Sequence, residues 1–277
     1  MGELLLWSAL ADRQTRLGLT LPPLNPLEQP SYARWQAFAS AAGLPCLFEV
    51  GGPEGLAYSE NLAAADALLT TSVAEGFGLV FLECWLVGRP LLGRDLPEIT
   101  ADFVRSGIRF PGLQAHLGIP VDWLDWQAFR ATMVEAFLRV LEAYGQPLPT
   151  GETLGRQVDQ LGEGGVVDFG RCGSAAQRQV IQRVVGDAGC RQQLLGLNPA
   201  VAEALGRKVG DRGHIDENAR IVRREYSLVP SGRRLGAVYQ RVAGSPRGDD
   251  LRPLAEGHRV LDHFLDLSRF CPLRVES

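Results

Sequence analysis

The stretch from Asp66 to Val87 constrains the fold more than any other part of the sequence. The run Asp66-Ala67-Leu68-Leu69-Thr70-Thr71-Ser72 reads as a buried strand. It empties into a loop with Gly76 and Gly78, and the apolar run Leu79–Val87 that follows reads as a helix. A strand, a glycine loop and a helix in direct succession form the joint from which parallel sheets are built, because a parallel neighbour is reached only through a crossover.

The flanking sequence repeats the alternation. Glu3–Leu17 reads as an amphipathic helix, Tyr32–Ala42 as a second, Leu47–Val50 as a short buried strand and Leu56–Ala65 as a third helix. Beyond the joint come a strand at Pro90–Gly93 and a helix opening at Pro97, where a missing N–H costs nothing. From about Leu113 the strand signals fade. Helices are predicted over Trp126–Tyr144 and Ser174–Val185, with a further one opening at Asn198-Pro199. The expectation is an α/β region with a parallel sheet over residues 1–112 and a mostly helical region over 113–277 packed on it.

An apolar share of 45% over 277 residues is ample for a buried core, and a net charge of −4 offers no broad attraction to nucleic acid or anionic membrane. The sequence has no transmembrane segment, and its start lacks the basic flank of a signal peptide, so the expected location is cytoplasmic. The cysteines at 46, 84, 172, 190 and 271 show no paired spacing, and His116, His214, His258 and His263 lack a ligand spacing; no metal is expected.

The joint also carries the candidate chemistry. Ligands of open α/β sheets bind at the carboxyl edge of the strands, and glycines there let backbone N–H groups approach an anionic diphosphate beside a helix start. Glu83 lies among apolar neighbours in Leu79–Val87, which reads as a helix buried all round. A carboxylate in such a place requires donors; paired ribose hydroxyls would serve, and so would an internal arginine or a backbone cap.

Glu75-Gly76-Phe77-Gly78 followed by Glu83 resembles the double-glutamate motif of retaining GT-B glycosyltransferases of the glycogen synthase and sucrose synthase type. The likeness extends to Gly88–Gly93, to the acid-bearing turn Asp95-Leu96-Pro97-Glu98-Ile99, and to Asn218, Tyr226, Ser227, Leu235 and Tyr239, which look like that fold's crossing helices near 216–240. The resemblance implies a Rossmann-like nucleotide-sugar-binding domain, the C-terminal half of a GT-B enzyme. It implies Glu75 as the catalytic residue on the donor sugar, Glu83 on the ribose, and Ser72, Gly76, Phe77 and Gly78 around sugar and phosphates. It implies a nucleoside-diphosphate sugar as substrate, no metal or other cofactor, and a separate N-terminal GT-B domain as partner.

The sequence departs from that pattern at its start. It opens at Gly2-Glu3-Leu4-Leu5, which resembles the helix after the family's phosphate-clamping arginine and lysine. Among Arg13, Arg16, Arg89 and Arg94, the last is the best-placed substitute because it ends a strand near the site, and Arg94 is therefore included among the donor-binding residues. Losing such a pair implies a chain that turns over poorly alone. The alternatives are a non-catalytic nucleotide-sugar-binding module or a subunit of a split enzyme, and after these a phosphorylase or sugar epimerase. Trp123 and Trp126 read as core packing, and the arginines at 220, 223, 224, 233, 234 and 241 as a solvated face paired with Asp216, Glu217 and Glu225.

Overall fold

The computed structural model describes residues 1–52, 55–206, 213–245 and 256–272. Helix and strand alternate through the first part: α1 (Gly2–Leu10), β1 (Leu17–Gly18), α2 (Gln29–Ala41), β2 (Cys46–Leu47), α3 (Tyr58–Ala64), β3 (Leu68–Thr70), α4 (Val80–Leu86), β4 (Leu91–Arg94), α5 (Pro97–Arg105) and β5 (Leu113–Gln114). All the pairings among these strands are parallel, as the alternation predicts. They do not make one sheet, however. β1 pairs with β2, and β3, β4 and β5 form a second sheet in that order.

The rest of the chain is mostly helical: β6 (Gly118–Pro120), α6 (Trp126–Ala143), α7 (Gly151–Gln160), β7 (Val166–Asp168), α8 (Ser174–Gly186), α9 (Ala188–Leu197), α10 (Pro199–Gly206), α11 (Gly213–Glu225), α12 (Leu228–Gly244) and α13 (Gly257–Phe264). Strand content does not end where the sequence signals fade. β5 lies just past residue 112, and β6 pairs antiparallel with the distant β7, with Ile119 opposite Val167. Both strands are three residues long and one ends in Pro120, too short for a period-two pattern to register.

The expected first helix is also shorter than its periodicity. α1 stops at Leu10 because Arg191 donates to the carbonyls of Leu10 and Ala11, while Asp12 gathers the amides of Gln14 and Thr15 into a turn. Leu17 is thereby released into β1, where its N–H bonds Pro45.

Two apolar cores hold the elements together, and both draw on residues from each side of position 112. The larger joins Leu5, Leu6 and Leu10 of α1 to Met133 of α6, Val158 of α7, Ile181 of α8 and Val201 of α10. The smaller packs Phe81, Cys84 and Trp85 of α4 with Phe103 of α5 and Ile215, Ala219 and Val222 of α11. Each large side chain so buried contributes about 1.5–3 kcal/mol. Asn218 of α11 is fully buried; its Oδ1 accepts from the Arg109 N–H at 3.0 Å and its Nδ2 donates to the Arg109 carbonyl at 2.7 Å. In contrast, α12 buries none of its residues, and Leu228, Leu235, Val238, Tyr239 and Val242 are all exposed on it.

Trp123 is buried beneath the Arg183 guanidinium, and Trp126 stacks on Phe129 while donating to Asp159. Both are packing residues, as read. On the basic face, Arg224 and Arg234 meet Glu225, whereas Glu217 turns to Arg109 instead. Among the described residues no helix is long and apolar enough to cross a membrane.

Candidate functional site

β3 delivers the chain to the carboxyl edge of its sheet, and the loop from Thr71 to Leu79 begins there. Gly78 closes the loop with φ +64°, and a Cβ at this position would stand 2.4 Å from Ile99 Cγ2 and 3.0 Å from the Phe81 ring. Only glycine fits that backbone and that space. Gly76 differs, since a Cβ there meets nothing within 4 Å and the loop lies open to approach. Beside β3, Gly93 has φ +114° and no room for a Cβ, which would fall 1.9 Å from the Thr70 carbonyl; β4 closes on the root of the loop only because residue 93 is glycine.

Two carboxylates mark this edge. Ser72 Oγ donates to Glu75 Oε1 at 2.6 Å, tying the start of the loop to its middle, and Glu75 is otherwise exposed. Ser72 therefore braces the loop through Glu75. Phe77 projects into solvent at 87% exposure.

Glu83 occupies the first turn of α4 and is half-buried. The helix is not buried all round, as the sequence had suggested: Phe81, Cys84 and Trp85 face the core, while Leu79, Leu86 and Val87 are exposed. A run apolar at every position but Glu83 had hidden a two-sided helix, because composition carries no information on which face is covered. Glu83 lies at the border of the two faces. Its partner is Tyr58 of α3, whose hydroxyl donates to Oε2 at 3.1 Å. Burial and the Glu83 charge together push the Tyr58 phenol above its ordinary pKa, so it remains a donor across the physiological range. Neither an arginine nor a backbone cap holds Glu83 among the described residues.

Arg94 requires a correction. It does end β4, but its side chain is buried and engaged inside the protein. Nε and Nη2 donate to Glu3 Oε2, Nη1 and Nη2 to Asp168, and Nη1 to the Ala115 carbonyl. A guanidinium has five N–H groups, and all are used, leaving none for a phosphate. Arg89 donates to the Leu62 and Ala63 carbonyls of α3 and Arg16 to the Arg13 and Thr15 carbonyls.

Two cavities flank the loop. One, of about 430 Å³, is lined by Met1 and Leu4 of α1 and by Leu69 to Val73. The other, of about 380 Å³, lies beyond Val73 between Phe137, Arg139 and Tyr144 of α6 and Phe264, Arg269 and Phe270. Neither is lined by Glu75 or Glu83. Arg269 also pairs with Glu98 of the acid-bearing turn, so a cation reaches the neighbourhood of the loop from the far end of the chain. Sequence reasoning missed both Tyr58 and Arg269, since nothing local links either of them to the loop.

Comparison with known protein families, characterised proteins and solved structures finds no match to this chain.

Proposed function

We propose that this chain binds a nucleoside-diphosphate sugar at the carboxyl edge of β3 and is the donor half of a retaining glycosyltransferase. The observation that carries the reading is Glu83: a half-buried carboxylate that has one neutral donor, Tyr58, and no cation among the described residues, at the end of a loop open at Gly76. A carboxylate that receives a single hydroxyl keeps acceptor capacity for ribose hydroxyls. Glu75, anchored by Ser72 at the solvent edge, takes the sugar side, and the Gly76–Gly78 backbone takes the phosphates. Such a site acts by positioning and by stabilising the departing diphosphate.

A second reading, a nucleotide-sugar-binding module without turnover, is favoured by the engagement of Arg94 within the core. Each absent donor to a developing charge costs about 2.7–4 kcal/mol in the transition state. The bare apolar stripe of α12 supports a further body in the active assembly, which in the leading reading is an acceptor domain.

Calorimetry with uridine, guanosine and adenosine diphosphates separates these ideas from no site at all. One nucleotide should bind the wild type, and Glu83→Ala should weaken it by about tenfold or more, equal to about 1.4 kcal/mol. Equal affinity in the variant removes Glu83 from the ribose, and no binding by any nucleotide removes the reading altogether. Release of labelled sugar from the matching donor distinguishes an enzyme from a module.

A further inference from the structure

The cavity of about 380 Å³ beside the loop is lined by aromatic side chains that packing only partly explains. Phe137 of α6 and Phe270 meet edge to face with ring centroids 5.2 Å apart, and both pack on the larger core. Tyr144, which follows α6, and Phe264, which ends α13, form a second edge-to-face pair at 5.8 Å. This second pair belongs to neither core, and its members are 50% and 56% exposed. Burial accounts for the first pair; the second lies at a cavity wall with half its surface in water.

The charge of the lining is of one sign. Arg139 and Arg269 line the cavity, and no acid is among its described lining residues. Each arginine is steadied by an acid outside the lining. Arg139 Nη2 donates to Glu135 on the same helix, while Arg269 Nη2 pairs with Glu98 and its Nη1 donates to the His263 ring. A guanidinium carries five N–H groups in a planar fork, so these bonds leave both arginines donors suited to a carboxylate. Arg269 is the better shielded from solvent, with 35% of its side chain exposed against 59% for Arg139. Its attraction for an anion is therefore screened less.

Position agrees with composition. Val73, just after the end of β3, forms part of the wall, and Glu98, the partner of Arg269, stands in the first turn of α5, which follows β4. The cavity thus adjoins the carboxyl edge, where ligands of α/β sheets collect. Small-molecule pockets of about 300–1,000 Å³ are lined mainly by apolar and aromatic side chains with a few polar groups, and this cavity meets each condition.

We propose that this cavity binds a small amphipathic carboxylate. Its aromatic or acyl body packs among Phe137, Val140, Phe264 and Phe270, and its carboxylate rests on Arg269, with Arg139 as the second cation. Ring contacts and apolar burial hold the body, and charge-assisted hydrogen bonds hold the head. A neutral analogue forfeits those bonds and a cationic one meets two guanidiniums, so the site selects by charge at one end and by shape at the other. Glu75 and Glu83 take no part in the lining, and nothing here depends on the nucleotide reading of the loop.

The experiment is an amide NMR titration of the full chain with 4-phenylbutyrate and with octanoate, using octanamide and octylammonium as the neutral and cationic controls. Both carboxylates should give saturable shifts centred on Val73, Val140, Tyr144, Leu265 and Phe270, and the tighter of the two identifies the body. Octanamide should bind about tenfold or more weakly than octanoate, and octylammonium not at all. Arg269→Gln should weaken octanoate by about tenfold or more, and Arg139→Gln by about threefold. Ala143→Phe, which fills the cavity from an exposed lining position, should abolish binding. Because Arg269→Gln also breaks the pair with Glu98, thermal unfolding checks that it folds, and the Ala143 and Arg139 variants decide the matter if it does not. Octanamide binding as tightly as octanoate overturns the role of the anion. Shifts that fail to saturate, that centre elsewhere, or that persist in Ala143→Phe overturn the site, as does a wild type that binds neither carboxylate. No nucleotide is present in any arm, so failure here is distinguishable from failure of the donor site.

Discussion

Two groups of carboxylates in this molecule have met opposite fates. Glu3 and Asp168 share one buried guanidinium, Arg94, at 2.6 and 2.9 Å, and that cluster binds α1, β4 and β7 into one interior. Glu75 and Glu83 have one hydroxyl each, from Ser72 and Tyr58, and no cation among the described residues. The first group is closed because its needs are met from inside. The second keeps acceptor capacity beside an exposed loop, which is what the proposed donor site requires.

Titration follows the same division. Burial alone would raise the Asp168 carboxyl, but His116 and Arg94 overcome it and hold Asp168 well below the usual carboxylate range. At 3.6 Å the His116 contact is longer than a hydrogen bond, so Arg94 supplies most of this effect. Glu3 shifts the other way: burial raises it despite Arg94, and one of its oxygens is unpartnered. Of the two acids on one arginine, Asp168 is the firm ion.

The contrast can be broken at four points. Arg94→Met strands two buried acids and should cost about 3–5 kcal/mol in urea unfolding, the largest loss of the set. A loss below about 1 kcal/mol would mean the cluster is not closed.

Asp168→Asn should cost less, about 1.5–3 kcal/mol at neutral pH, the range of a hydrogen bond to a charged group. Because the folded pKa lies below the unfolded value, the wild-type advantage is fully present above about pH 3.9 and is lost as pH falls further. Unfolding curves for both proteins between neutral and acid pH give the difference directly, and an advantage that shrinks as pH rises would reverse the assignment.

Gly78→Ala should destabilise by about 1–3 kcal/mol, since its backbone is left-handed and Ile99 occupies the space a methyl needs. Gly76→Ala, with open space around it, serves as the control within the same loop.

Glu83→Gln should have the smallest effect on stability, under about 0.5 kcal/mol by thermal unfolding, because the amide can still accept from Tyr58. A loss as large as that of Arg94→Met would make Glu83 a structural residue and erase the difference between the two groups.

What could be read from the residues was local. The strand, loop and helix around Gly78, the long helix from Trp126 and the proline opening α5 all stand where period and capping put them, within a few positions. What could not be read was produced by distance along the chain. The Arg94 contacts with Glu3 and Asp168 span 91 and 74 residues, and the Tyr58 bond to Glu83 spans 25. Arg94 looked available because a strand end near a glycine loop is where a phosphate ligand belongs; only packing reveals that Glu3, Asp168 and the Ala115 carbonyl take all its donors. The same holds for α4, whose apolar sequence conceals a solvent-facing side formed by Leu79, Leu86 and Val87. Even the division of the sheet is a tertiary property, since β3 and β4 read as strands locally while β1, β5, β6 and β7 are too short to register.

The Asn218 amide copies the donor and acceptor of a peptide group and reads the Arg109 backbone as a neighbouring strand would, 109 residues away. Shortening the protein ahead of Gly213 would therefore do more than trim a peripheral helix. It would pull a rung from beneath the stretch joining α5 to β5 and uncover Trp85 and Phe81 behind the glycine loop, so the tolerance of this molecule to truncation is set far from its candidate chemistry.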